Sequence, residues 1–212
     1  DVTGLAQKGG AVISHVRISA GEASPGPVRI DVAGADTAIL CDGVAGMKPE
    51  AWRTLAHDRT TAVLNTYTIP PTEFTQDAEA RHDIRAIAQH VERAVGTGRL
   101  HQLDAHALAE LHHGDTILAN MIMLGHAWQL GAVPVSAAAI RRAIELNGVA
   151  VQANLDAFRL GRLSAWRPDA LHEAGARQPE YDPELDTLEA ILERNTAALT
   201  AYQNAAYAQR YL

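Results

Sequence analysis

The sequence predicts an α/β fold, with a mainly parallel sheet flanked by helices in a Rossmann-like three-layer arrangement and a helical C-terminal half. Three observations predict it. Between residues 35 and 104, short apolar runs alternate with amphipathic stretches in the order strand, helix, strand, helix, strand, which favours parallel strands joined by crossover helices. Beyond Asp104, helix caps and helix stops replace strand signals. Finally, 47% of the 212 residues are hydrophobic and 20% charged, yet only 2 Phe, 3 Trp and 5 Tyr are present, so the core is aliphatic, as packed α/β layers require.

The elements follow in order. Residues 11–19 alternate, with Val12, Ser14, Val16 and Ile18 on one side and Ile13, His15, Arg17 and Ser19 on the other, and read as a first strand. Gly21, Pro25, Gly26 and Pro27 make a turn, and 28–32 reads as a short edge strand or a loop because Pro27 stands at its mouth. The run from Ala35 to Asp42 is apolar, ends in an acid and precedes Gly43, which reads as a buried parallel strand. Pro49 suits a first helical turn, continued by Ala51, Trp52 and Leu55. Residues 60–65 form the next strand. Ile84, Ile87, Ala88, Val91 and Val95 define an amphipathic helix over 83–95, closed by Gly96 and Gly98. Residues 100–104 read as a further short strand.

Asp104 then caps a helix that Gly114 stops after His113, and Asp115 caps a second whose apolar residues surround it, as in a buried helix. Pro134 and Ser136 open a third through Ile140 and Ile144, with a junction at Asn147-Gly148 and a further apolar stripe to Gly161. The expected organisation is a domain over 1–165, a linker over 166–183, where prolines and charges gather, and a C-terminal helix over 184–212 whose three tyrosines suit docking to a neighbouring domain.

Charge and cysteine usage narrow the function. A formal charge of −7 disfavours nucleic acid and anionic membranes as partners. The one cysteine, Cys41, makes no internal disulfide and holds no iron–sulfur cluster by itself, and the lack of a disulfide framework suits the cytoplasm. No apolar run reaches the ~20 residues that span a bilayer, so no membrane association is expected.

No catalytic residue set is legible, whether a nucleophile–base–carboxylate order, a P-loop or a dinucleotide-binding glycine motif. Among ten histidines, His112-His113 with Asp115 and His101 with His106 lack metal-ligand spacing, and no metal is expected. Cys41 suits core packing better than chemistry. Asp42 with Gly43 stands where a strand's C-terminal end lines a cleft, though Asp there is also an ordinary turn residue. Gln7, Lys8, Gly9 and Gly10 offer a cation and exposed N–H groups that suit a phosphate, a carboxylate or a partner's backbone, or else a tight turn. Asn120, in the middle of an apolar helix, is expected to be buried, pinning a neighbouring loop or facing the cleft.

Several ordered segments resemble one family. They are Gly-Leu-Ala-Gln-Lys-Gly-Gly-Ala-Val with Ser-His-Val-Arg over 4–17, Gly-Ala-Asp with Leu-Cys-Asp over 34–42, Val-Leu-Asn-Thr over 63–66, Asn-Met with Leu-Gly over 120–125, Ile-Glu-Leu-Asn-Gly over 144–148, and the segment 199–211. Together they resemble the gamma-type domain of 2-oxoacid:ferredoxin oxidoreductases, and most closely the form fused into indolepyruvate:ferredoxin oxidoreductases. The resemblance implies oxidative decarboxylation of a 2-oxoacid with coenzyme A to an acyl-CoA, carbon dioxide and two reduced ferredoxins. It also implies that thiamine diphosphate, magnesium and iron–sulfur clusters sit on other domains or subunits. This domain would cover the active site and assist coenzyme A, with Lys8, Gly9 and Gly10 near the coenzyme or a partner domain. The opening reads as a strand end running into a loop, so a strand, glycine loop and helix are expected to precede it in a longer chain. The alternatives are a self-sufficient α/β ligand-binding module or a non-catalytic interaction scaffold.

Overall fold

The computed structural model describes residues 12–19, 26–67 and 84–175, with Leu192, Thr196 and Gln209 besides. The chain divides into two units, Asp1–His172 and Glu173–Leu212; the first holds the sheet. β1 (Thr37–Leu40), β2 (Thr61–Asn65) and β3 (Leu100–Leu103) run parallel in the order β1-β2-β3, with Thr37 opposite Thr61, Leu40 opposite Leu64, Ala62 opposite Leu100 and Asn65 opposite Leu103. β2 is the central strand, buried on both faces, which is why Ala62-Val63-Leu64 is continuously apolar.

Alternation along the strands divides the core in two. On one face Leu40, Ala62 and Leu64 pack with Ile87, Ala88, Val91 and Val95 of α3 (Ile84–Val95), beside the short α1 (Gly43–Gly46) and α2 (Pro49–Trp52). On the other face Val63, with Ile39, meets Ile122, Met123 and Ala127 of α5 (Ala119–Gln129) and Ala157 and Leu160 of α7 (Val151–Trp166), with α4 (Ala105–His113) alongside. Helices therefore cover both faces, and the C-terminal half is helical, as the sequence predicts. α6 (Ala137–Asn147) adds Ile140 and Ile144 against Phe158. Thr37 Oγ1 donates to the Ala132 carbonyl at 2.6 Å, tying β1 to the turn after α5.

Local chemistry sets most boundaries. Pro49 opens α2 at its first turn. Asp104 caps α4 by accepting from the Ala107 N–H, and Gly114 closes it in the left-handed conformation; Ser136 and Gly148 do the same for α6.

Two expectations are corrected. Residues 12–19 form no strand: they are extended and alternate in exposure, but they join no ladder among the described residues. Their polar side turns inward instead, with His15 Nδ1 accepting from the Ile30 N–H at 3.1 Å and Arg17 donating to the Arg29 carbonyl at 2.7 Å, leaving Val12 and Val16 80% and 72% exposed. Residues 28–32 take the loop form, one of the two readings open to them. Asp115 caps a 3₁₀ turn over Thr116–Leu118, and α5 begins only at Ala119. Within the segment expected as linker, Pro168 opens α8 (Pro168–Gly175), as proline suits a first helical turn. The rest of that segment, and the tyrosines of the expected C-terminal helix, lie outside the described residues. Among the described residues, no helix is long and apolar enough to cross a membrane.

Candidate functional site

Ligands of open parallel sheets bind beyond the C-terminal ends of the strands. Here those ends bring together Cys41 and Asp42 after β1, Asn65 to Tyr67 at the end of β2, and Asp104 to His106 after β3. Asn65 is the centre of this rim. It is 1% exposed and uses every hydrogen-bonding position of its carboxamide. Oδ1 accepts from the Ala105 N–H at 3.0 Å and the Tyr67 N–H at 3.4 Å. Nδ2 donates to the Cys41 carbonyl at 3.0 Å and meets His106 Nδ1 at 2.9 Å.

Two backbone N–H groups facing Oδ1 fix which end of the amide is oxygen. Nδ2 is then a donor, and His106 Nδ1 accepts from it. The neutral His106 ring therefore carries its proton on Nε2. The Tyr67 ring stacks on His106 at 4.1 Å between centroids and 15° between planes, which fixes the imidazole plane as well. His106 is half-buried and Tyr67 is 42% exposed.

The carboxylates of the rim serve their own helices. Asp42 Oδ1 accepts from the N–H groups of Val44 and Ala45, and Asp104 Oδ1 from that of Ala107. Both are exposed. Burial pushes the Cys41 thiol up, and the neighbouring Asp42 charge pushes it further, so the thiol stays protonated and is a poor nucleophile at neutral pH.

A second polar cluster lies inside the helical layer. His126, 6% exposed, meets Ser164 Oγ at 2.8 Å, while the Ser164 hydroxyl donates to the Gly161 carbonyl at 2.7 Å. The serine proton being engaged there, His126 donates from Nδ1. Burial, helped by the nearby His101, pushes the His126 pKa down to about 4.

Of the predicted site residues, Asp42 stands on the rim as a helix cap. Asn120 is not buried: α5 begins one residue earlier, so the side chain sits in the first helical turn and is exposed. Gln7, Lys8, Gly9 and Gly10 lie outside the described residues. His101 lies 6.4 Å from the His126 ring, and His106 stacks on Tyr67. Asn65 and His106 are the rim residues that sequence reasoning missed. Asn65 ends a strand within the quoted Val-Leu-Asn-Thr run, and Tyr67 is its near neighbour, but its partners at 41, 105 and 106 are brought to it only by the sheet.

The donor set does not suit iron–sulfur clusters or a metal-bound diphosphate. The chain has one cysteine, and its thiol is held protonated. Among the described residues no three His, Cys, Asp or Glu side chains gather to hold a metal ion.

No curated protein and no solved structure gives a significant match to the chain. A family model does: that of pyruvate ferredoxin/flavodoxin oxidoreductase matches residues 1–164. The matched span contains the whole sheet, its rim and α7 almost to its end. The chain accordingly belongs to the pyruvate ferredoxin/flavodoxin oxidoreductase family.

Proposed function

We propose that the chain is a domain or subunit of a 2-oxoacid:ferredoxin oxidoreductase acting on indolepyruvate or another aryl pyruvate, that it covers the active site, and that it assists coenzyme A. The observation that carries this reading is the family match over residues 1–164. The rim supports a covering role: it offers an ordered amide, an imidazole and a phenol, but its thiol is protonated and its carboxylates cap helices. The aryl pyruvate subtype rests on the ordered resemblances from residue 4 to residue 211. Thiamine diphosphate, magnesium and iron–sulfur clusters would be carried by other domains or subunits, and ferredoxin would be the electron acceptor of the whole enzyme. The lone cysteine suits a cytoplasmic place.

Exposed apolar side chains favour assembly over a free-standing module. Val12, Val16, Ile18, Val28 and Val32 are all more than half exposed and lie along two neighbouring loop segments. The test is indolepyruvate-dependent viologen reduction. The chain alone is expected to be inactive, and activity to require mixing with the thiamine- and cluster-bearing parts. Turnover by the chain alone, or none in the complete mixture with indolepyruvate, phenylpyruvate or pyruvate, would overturn the reading.

A further inference from the structure

We propose that His106 is a ligand-binding residue, whose Nε2–H donates a hydrogen bond to a planar carbonyl or carboxylate oxygen at the sheet rim, with Asn65 as its positioning residue. This rests on the functional reading above and takes it to named atoms. Three observations carry it. The Asn65 amide, oriented by the Ala105 and Tyr67 N–H groups, gives His106 Nδ1 a donor and so leaves the ring proton on Nε2. The Tyr67 ring, stacked at 4.1 Å, fixes the imidazole plane from a second direction. Among the described residues no acceptor meets that Nε2–H, although the opposite nitrogen of the same ring is anchored to an amide that is 1% exposed.

A half-buried imidazole held in one tautomer and one plane, with its proton unused, is a preorganised donor. Preorganisation lowers the ordering cost of binding, which a freely rotating surface histidine would incur. The position agrees with the chemistry, because it is the strand-end crevice where α/β sheets take ligands. The donor suits an oxygen with a lone pair in the plane of the ring, which carbonyl and carboxylate oxygens offer. Two molecules of the proposed reaction carry one: the 2-oxoacid in its carboxylate, and coenzyme A in the amide carbonyls of its pantetheine arm.

The test has a kinetic arm and a spectroscopic arm. In the reconstituted enzyme, His106→Ala is expected to raise one KM about 10-fold, the worth of one ordinary hydrogen bond, with kcat within about 2-fold. A rise confined to the KM of the 2-oxoacid identifies the carboxylate, and one confined to that of coenzyme A identifies the pantetheine carbonyl. His106→Gln, which returns an N–H near the position of Nε2, is expected to recover most of the loss. Unchanged KM values for both in a complex that turns over normally would overturn the proposal. In the full chain labelled with ¹⁵N-histidine, the His106 spectrum is expected to show the Nε2–H tautomer and to switch to Nδ1–H in Asn65→Asp. Adding indolepyruvate or coenzyme A is expected to shift the Nε2 resonance. The other tautomer in the wild type, or no shift with either compound, would overturn the proposal even if the mixture proved inactive, an outcome that would itself count against the functional reading instead.

Discussion

Asn65 joins the ends of all three strands through one side chain, so its loss should be felt well beyond its own volume. Asn65→Ala leaves two N–H groups, one carbonyl and one imidazole nitrogen without their partner at a buried position. Each unmet buried group costs about 1–3 kcal/mol, partly relieved by water, so a loss on the order of 3 kcal/mol is expected, read as a lower urea midpoint. His126 makes a different prediction. Its pKa in the folded chain is about 4, against about 6.5 in an unfolded one. As pH falls from about 6.5 towards about 4, the unfolded chain takes up a proton that the folded chain refuses. The stability tied to this residue is thus present above that window and lost across it, on the order of 2 kcal/mol. His126→Gln keeps a donor for Ser164 but does not titrate, and the difference in unfolding free energy between wild type and variant should change with pH in this interval alone.

The helix pair α5 and α7 depends on two glycines placed reciprocally. A Cβ on Gly125 would run into the Phe158 carbonyl oxygen, and one on Gly161 into the Ile122 carbonyl oxygen. These are backbone atoms, so no side chain can yield. Gly161→Ala is expected to cost about 3 kcal/mol or more, measurable by thermal or urea unfolding, although alanine is the better helix former. Gly161 therefore does not end a helix; it lets α7 cross α5 closely. Local signals were legible wherever they act within a few residues: Asp104 with Gly114, Ser136 with Gly148, and the amphipathic spacing of α3 all form as the sequence predicts. Alternation over 12–19 was legible too, but alternation says only that a segment has two sides. Whether it pairs depends on a neighbour elsewhere in the chain. Asn120 was misplaced because Asp115 begins a 3₁₀ turn, which shifts the helix start and turns the side chain outward. Three of the four partners of Asn65, at 41, 105 and 106, are set by the register of the sheet, which no short window of sequence contains.

For the whole molecule, the exposed valines and Ile18 set an expectation about assembly. Val16 is 72% exposed while its neighbours His15 and Arg17 hold the segment in place. Val16→Asp should leave the stability of the chain within about 0.5 kcal/mol, as surface changes do. It should nevertheless weaken association with the remaining parts of the enzyme about 10-fold or more, because a charge would be buried in an apolar contact; sedimentation or titration calorimetry of the mixture reads this directly. An unchanged affinity would place the interface elsewhere. The rim has a dynamic consequence as well. The amide protons of Tyr67 and Ala105 end on the same side-chain oxygen, not on carbonyls of a ladder. Both are expected to be freed when that one carboxamide swings away. Two amides far apart in sequence should therefore exchange their hydrogens in step, and the same swing frees the His106 ring to turn, so hydrogen exchange at either amide is a clock for the opening of the rim.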